Sequence, residues 1–225
     1  MLPLERQAER RAERQAAGPR RADAVRNRER VLAAAEEVFA QSGLSGQVEE
    51  VARRAGVGVG TVCRNFPTKQ SLVEAVLMSM YESLLAQAHA ASENADPAAA
   101  FETFVIALSE FHARHRALAE QMARELELPD TAQPLRNDLR NAIDGLVTRA
   151  QAAGAVRGDI GPADVALLFS GVAHATALAG DSAPVLRERY VRLILDGLRP
   201  QAASVLPGRP LDFTQLRKLK ARRRR

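Results

Sequence analysis

The stretch GVGVGTVCRNFPTKQSL, Gly56 to Leu72, decides the fold. Its alternating Gly56, Gly58 and Gly60 admit two readings: a loop that cradles a nucleotide phosphate, or the turn and second helix of a helix-turn-helix. A dinucleotide fingerprint requires a strand before the glycines and a long helix after them. Here the preceding segment is a charged amphipathic helix, position 61 is Thr61, and Pro67 cuts the following helix short. No Gly-Lys-Ser/Thr is present for a P-loop. The flanks therefore speak against a nucleotide loop.

The helix-turn-helix reading accounts for more residues. Val51, Ala52 and Ala55 supply the buried face of a first helix, with Ala52 small enough for two helices to cross closely. Gly56 supplies the positive φ of the turn, and Val57 plugs the core between the helices. Val62 and Phe66 face inward on the second helix. That leaves Val59, Gly60, Thr61, Arg64 and Asn65 on the outer, N-terminal side, the part a recognition helix presents to a major groove. Thr61 suits a thymine methyl or a phosphate, and Arg64 can fork onto guanine O6 and N7. Lys69, beside the free amides that open the next helix, suits a backbone phosphate. Periodicity alone leaves a generic helical hairpin with solvated charges as an equal alternative.

Outward from this core the chain reads as all-α, with about nine helices and no convincing strand. Val31, Leu32, Ala35, Val38 and Phe39 repeat at helical spacing from Asp23 onward, and Gly43 stops that helix. Thr68 is a good N-cap for a long helix beginning at Lys69. Asp96 and Pro97 open the next, as a cap and a first-turn proline, and a bend is expected near His115. Amphipathic helices follow up to Gly154, then from Pro162, and finally up to Leu198.

Bulk properties agree. Of 225 residues 46% are hydrophobic, enough for a core, but only 4% are aromatic. One cysteine excludes an internal disulfide and a cysteine zinc cluster, and fits a reducing compartment. No apolar run reaches the ~20 residues of a membrane span, and the N-terminus lacks the apolar core of a secretory signal, so a cytoplasmic location without membrane contact is expected. The net charge of +5 is unevenly spread: Arg209 to Arg225 carries +7, Met1 to Ala22 carries +3, and the middle −5. Basic ends on an acidic body suit a polyanion, or are simply solvated. The domain expectation is a disordered basic arm at 1–22, a DNA-binding domain at 23–71, a helical domain at 72–200 and a disordered basic tail at 201–225.

The span from Arg28 to Leu77 resembles the DNA-binding domain of the TetR (tetracycline repressor) family of transcriptional regulators. Phe39, Gly43, Ala52, Ala55, Gly56, Val57, Gly60, Thr61, Phe66, Thr68, Lys69 and Leu72 fall in register with that family's pattern. The resemblance implies double-stranded DNA as a partner, with contacts from Gln47, Val59, Gly60, Thr61, Arg64, Asn65, Thr68 and Lys69. It departs at three places. Gly46-Gln47 stands where the family has Thr, so a phosphate role passes to Gln47. Gly58 replaces a common Ser cap. Cys63 stands where the family carries Tyr, which shifts weight to Arg64, Lys69 and the Arg-rich arm, a candidate for an adjacent minor groove. A redox switch at Cys63 competes with the commoner reading of a small buried hydrophobe.

The resemblance further implies a helical-bundle domain for ligand binding and dimerisation. Phe104, Leu108, Phe111, His112, His115, Met122, Leu146 and His174 are the candidates to line a small-molecule site; apolar residues at such spacing serve equally as plain core. His112 and His115 lack a third metal ligand at a suitable spacing, so neither a metal nor any other cofactor is expected. Val165, Leu168, Phe169, Val172, Thr176, Tyr190, Leu193 and Ile194 are candidates for a homodimer interface, or for burial within one chain. Together the resemblance and these features point to a DNA-binding transcriptional regulator, a ligand-responsive repressor that binds a pseudo-palindromic operator as a homodimer, with a constitutive regulator that senses no small molecule as the alternative. No Ser-His-Asp, Cys-His or paired-carboxylate set supports the rival reading, a helical enzyme.

Overall fold

The computed structural model describes residues 3–115, 118, 132–202, 204–210 and 212–216, with residues 3–22 described by their backbone alone. The chain forms two compact units, 1–76 and 77–225. Eight α-helices and no strand lie among the described residues. Among these residues no helix is long and apolar enough to cross a membrane.

In the first unit α1 (Pro3–Ser42) is followed by a 3-10 turn (Gly43–Ser45), α2 (Val48–Ala55), α3 (Val59–Asn65) and the start of α4 (Lys69–Ser92). Helix α1 begins twenty residues before the expected Asp23, so segment 1–22, expected as a disordered arm, carries helical backbone from Pro3 on. Its composition explains the difference, since Ala, Glu, Gln and Arg dominate it and all are strong helix formers. Helix α1 packs against α2 and α3, burying Val31, Ala35, Val38 and Phe39 against Val51, Ala52, Ala55 and Val62. The connection into α2 is tight. A Cβ on Gly46 would sit 2.6 Å from Val38 Cγ1 and 3.2 Å from Phe39 Cδ1. Close packing of the core, rather than backbone conformation, therefore favours glycine at 46.

The second unit holds the rest of α4, then α5 (Pro97–Arg114), α6 (Gln133–Ala152), α7 (Pro162–Thr176) and α8 (Ala183–Gly197). Asp96 caps α5 by accepting from the Ala98 N–H at 2.9 Å, with Pro97 in the first turn. The helix ends at His115, where the bend was expected. Helix α5 is central and packs on α6, α7 and α8. Its Phe101, Phe104 and Leu108 are buried, as are Leu139, Ile143, Leu146 and Val147 of α6. Arg149 ties α6 to the end of α4, donating to the carbonyls of Ser92 at 2.7 Å and Asn94 at 3.0 Å.

Two expectations are corrected here. Val165, Phe169, Val172 and Thr176, candidates for a dimer interface, are buried within this chain's own core. They form the inward stripe of α7, at successive steps of four, three and four residues. The Thr176 hydroxyl is satisfied internally, donating to the Val172 carbonyl at 2.8 Å. Leu168, Tyr190 and Leu193 remain exposed and Ile194 half-buried. The tail expected to be disordered from residue 201 is instead packed over part of its length. Ser204 accepts a hydrogen bond from Arg157, and the Arg140 guanidinium lies 5.6 Å from the Phe213 ring centre. Residues 217–225 lie outside the described residues.

Candidate nucleic-acid interface

The turn between α2 and α3 follows from its sequence. Gly56 adopts φ +64°, ψ 36°, a left-handed conformation that an L side chain would strain. Its N–H donates to the Arg53 carbonyl at 3.2 Å, and the Val57 N–H to the Ala52 carbonyl at 3.0 Å. These are the two closing bonds of a Schellman motif, which end α2 and redirect the chain into α3.

Helix α3 keeps Val62 buried, and Phe66 just beyond it is buried too. Val59, Gly60, Cys63 and Arg64 are exposed, Thr61 and Asn65 half-buried. Arg64 donates to the Thr61 hydroxyl at 3.1 Å, and the Asn65 amide to the Thr61 carbonyl at 2.9 Å. Five of the eight sequence-derived DNA candidates thus share one short helix. No heavy atom outside the local backbone lies within 4 Å of where a Cβ on Gly58 or Gly60 would stand. Internal packing therefore does not require glycine at either position. Cys63 is exposed, which corrects its reading as a buried hydrophobe.

The remaining three candidates fare differently. Thr68 and Ser71 cap α4 reciprocally: the Ser71 N–H donates to Thr68 Oγ1 at 3.0 Å and the Thr68 N–H to Ser71 Oγ at 3.1 Å. The Thr68 hydroxyl thus has a structural task at the end that carries half-buried Lys69. Gln47 is exposed ahead of α2, and its side-chain amide donates to the Ser45 carbonyl at 2.9 Å. On α2, Glu50 pairs with both Arg53 (2.7 Å) and Arg54 (2.8 Å). Hydrogen bonds from Arg53 and then Arg54 hold its carboxyl down at about 2.

Two positioning residues escaped sequence reasoning. Arg28 places its guanidinium 4.5 Å from the Phe66 ring centre. Arg30 donates to the carbonyls of Ala55 and Gly56, the latter at 3.3 Å. Both reach from α1 to the elements that flank α3, and a cation at the C-terminus of α2 also complements its dipole. Nothing in the local sequence marks either, because their partners lie 25 or more residues away. Arg30→Ala is expected to lower the stability of the first unit by about 1–2 kcal/mol, with Arg30→Lys recovering part of it, as read from thermal unfolding.

In the second unit Phe104, Leu108, Phe111, His115 and Leu146 are buried and His112 is half-buried. Phe111 meets the His115 ring at 5.2 Å and the His112 ring edge-on at 5.9 Å. Met122 lies outside the described residues. His174 is exposed on α7, which removes it from any interior site. Ser109, passed over in the sequence, is buried on α5 with no hydrogen-bond partner for its hydroxyl among the described residues. A cleft of 530 Å³ between α7, α8 and residues 206–209, and another of 410 Å³ beside Phe101, are lined by none of the eight ligand candidates.

Desolvation lowers His112 from its usual 6.5 to about 4. His115 falls to about 4 through desolvation and, secondarily, the Arg114 charge. Both imidazoles are therefore neutral at pH 7 and can donate and accept hydrogen bonds in apolar surroundings. Because the folded values lie below the unfolded ones, their contribution to stability is complete above pH 6.5 and is lost as pH falls toward 4. The denaturant midpoint is expected to fall across that window, and His112→Asn to flatten part of the fall.

Comparison with known proteins converges on the same arrangement. The pattern described as "Bacterial regulatory proteins, tetR family" matches residues 31–76, and "Transcriptional regulator SbtR-like, C-terminal domain" matches residues 96–200. A TetR transcriptional regulator from Streptomyces coelicolor is 30% identical, with 78% of this chain and 99% of that one covered at a TM-score of 0.61. One from Mycobacterium vanbaalenii is 36% identical over 80% and 98% of the two chains, with a TM-score of 0.60. The HTH-type transcriptional regulator RutR of Escherichia coli O157:H7 is 27% identical over 192 residues, which are 76% of this chain and 90% of the relative. Taken with the helix-turn-helix of α2 and α3, these likenesses identify the chain as a member of the TetR family of DNA-binding transcriptional regulators.

Proposed function

We propose that this regulator is a ligand-responsive repressor that acts in the cytoplasm and binds a pseudo-palindromic operator as a homodimer. The observation that carries the DNA half is the outer face of α3. There Thr61 and Arg64 stand beside Gly60, whose lack of a side chain nothing inside the protein requires. A bare backbone next to a fork of guanidinium donors suits close approach to a groove, with Arg64 reading guanine and Thr61 a thymine methyl or a phosphate. Gln47 and Lys69 would hold the flanking phosphates, and the Arg-rich segment before Asp23 would add sequence-independent attraction. Asn65, Val59 and Thr68 complete the set in supporting positions.

The dimer is supported by exposed Leu168, Tyr190 and Leu193 on α7 and α8, together with half-buried Ile194. A two-fold axis through this face would present two copies of α3, and a helix-turn-helix dimer meets half-sites ~34–36 Å apart. Sensing is supported by the interior around Phe104, Leu108, Phe111 and Leu146, where neutral His112, His115 and the Ser109 hydroxyl offer polar handles to a small apolar molecule. Such a molecule releases DNA only if it prefers the non-binding arrangement by several kcal/mol.

Selection of bound duplexes from a random pool by the full chain tests this reading. Recovery of a two-fold symmetric site supports it; recovery of no common sequence overturns it. Thermal-shift screening against small apolar compounds, followed by DNA release, separates a ligand-responsive regulator from a constitutive one.

A further inference from the structure

Residues 204–209 are held to the second unit by a polar clamp. Arg157, only 7% exposed, sits in the loop between α6 and α7. Its guanidinium meets the Asp159 carboxylate twice, at 2.5 and 2.8 Å, and donates to the Ser204 carbonyl. Asp159 in turn accepts from the Leu206 N–H. The loop itself is fixed: the Arg157 N–H donates to the Leu198 carbonyl at 2.8 Å, and Gln151 donates to the carbonyls of Arg157 and Ile160, each at 3.0 Å. Burying a guanidinium carries a desolvation penalty that an ion pair often only offsets. What the clamp gains is position.

The segment it positions keeps its apolar side chains in water. Val205 is 96% exposed and Leu206 41%. Leu206 and Pro207 form one wall of the 530 Å³ cleft whose other walls include Leu167, Leu168 and Ile194. Leu168 and Ile194 also belong to the face assigned above to the two-fold contact. The strap therefore borders that face across the cleft, and exposed apolar surface gathered in this way marks an interaction site.

We infer that the strap Ser204–Arg209 is part of the surface by which two copies of this chain join, its Val205 and Leu206 packing on the α7–α8 face of the second copy. The inference rests on the dimer reading above and extends it to a segment outside the helical bundle. Two-fold symmetry makes each strap act twice, so a change in one sequence position alters both halves of the contact.

The test is the dimer dissociation constant of the full chain without DNA, from sedimentation equilibrium, for the wild type and two variants. Val205→Asp with Leu206→Asp alters the exposed Val205 and the cleft-lining Leu206, and an unchanged unfolding midpoint verifies that the fold persists. This double variant is expected to weaken the dimer by about tenfold or more, while deletion of 217–225 leaves it unchanged. A double variant that dimerises like the wild type overturns the strap's role and leaves the α7–α8 dimer standing. An equal loss on deleting 217–225 alone also overturns it, by assigning the effect to the basic end. A wild-type chain that is strictly monomeric overturns the dimer reading itself, and the strap with it.

Discussion

Arg64→Ala is expected to weaken binding to the selected operator by about 2–6 kcal/mol, because each of two half-sites loses a bidentate contact to guanine worth about 1–3 kcal/mol. That is roughly 30-fold to more than 10⁴-fold in affinity. The same variant should fold normally. Arg64 is exposed and donates to the Thr61 hydroxyl on the same helix, so its removal falls within about 0.5 kcal/mol of neutral. Binding to unrelated duplex should change far less, since that rests on phosphate neutralisation rather than base edges. Arg64→Lys should recover little, because an ammonium lacks the planar fork. Titration of labelled operator and of scrambled duplex at one fixed salt concentration separates the outcomes. Equal weakening on both would move Arg64 from base reading to phosphate contact.

Phe39→Ala is expected to destabilise the first unit by about 3–5 kcal/mol. Phe39 is wholly buried where α1 meets the connection into α2, close against Gly46. A domain's whole stability is only about 5–15 kcal/mol, and a small unit sits at the low end. The variant should therefore lose much of its helix-turn-helix at growth temperature. Denaturant unfolding followed by circular dichroism would show an early transition absent from the wild type, and operator binding would fall with it. A single transition at the wild-type midpoint would mean that Phe39 contributes far less than its burial implies.

Much of the DNA-facing half was legible because single residue types dictate geometry there. Only glycine sits easily at φ +64°, so Gly56 announces its turn, and Thr68 before Lys69 announces a cap. The same logic failed where a residue's meaning depends on a distant partner. Arg30 finds its carbonyls 25 residues on, and Arg157 its strap 47 residues on. In α7 the signal was ambiguous for another reason. The helix is apolar over much of its circumference, so periodicity groups Val165, Leu168, Phe169, Val172 and Thr176 on one broad face without saying that Leu168 turns outward while the others face in. The packing of α5, α6 and α8 against this helix resolves it. His174 was drawn inward by its neighbours' hydrophobicity and in fact lies outside.

Helix α3 spans seven residues, one of them glycine, and buries only Val62 within its own length. A single turn or two of this composition does not persist alone in water. Its order is lent by Phe66, by the Schellman turn and by the arginines reaching over from α1. An element so dependent on its surroundings is the first to fray when the lattice of neighbours loosens, so on warming the reading head should go blind before the body melts.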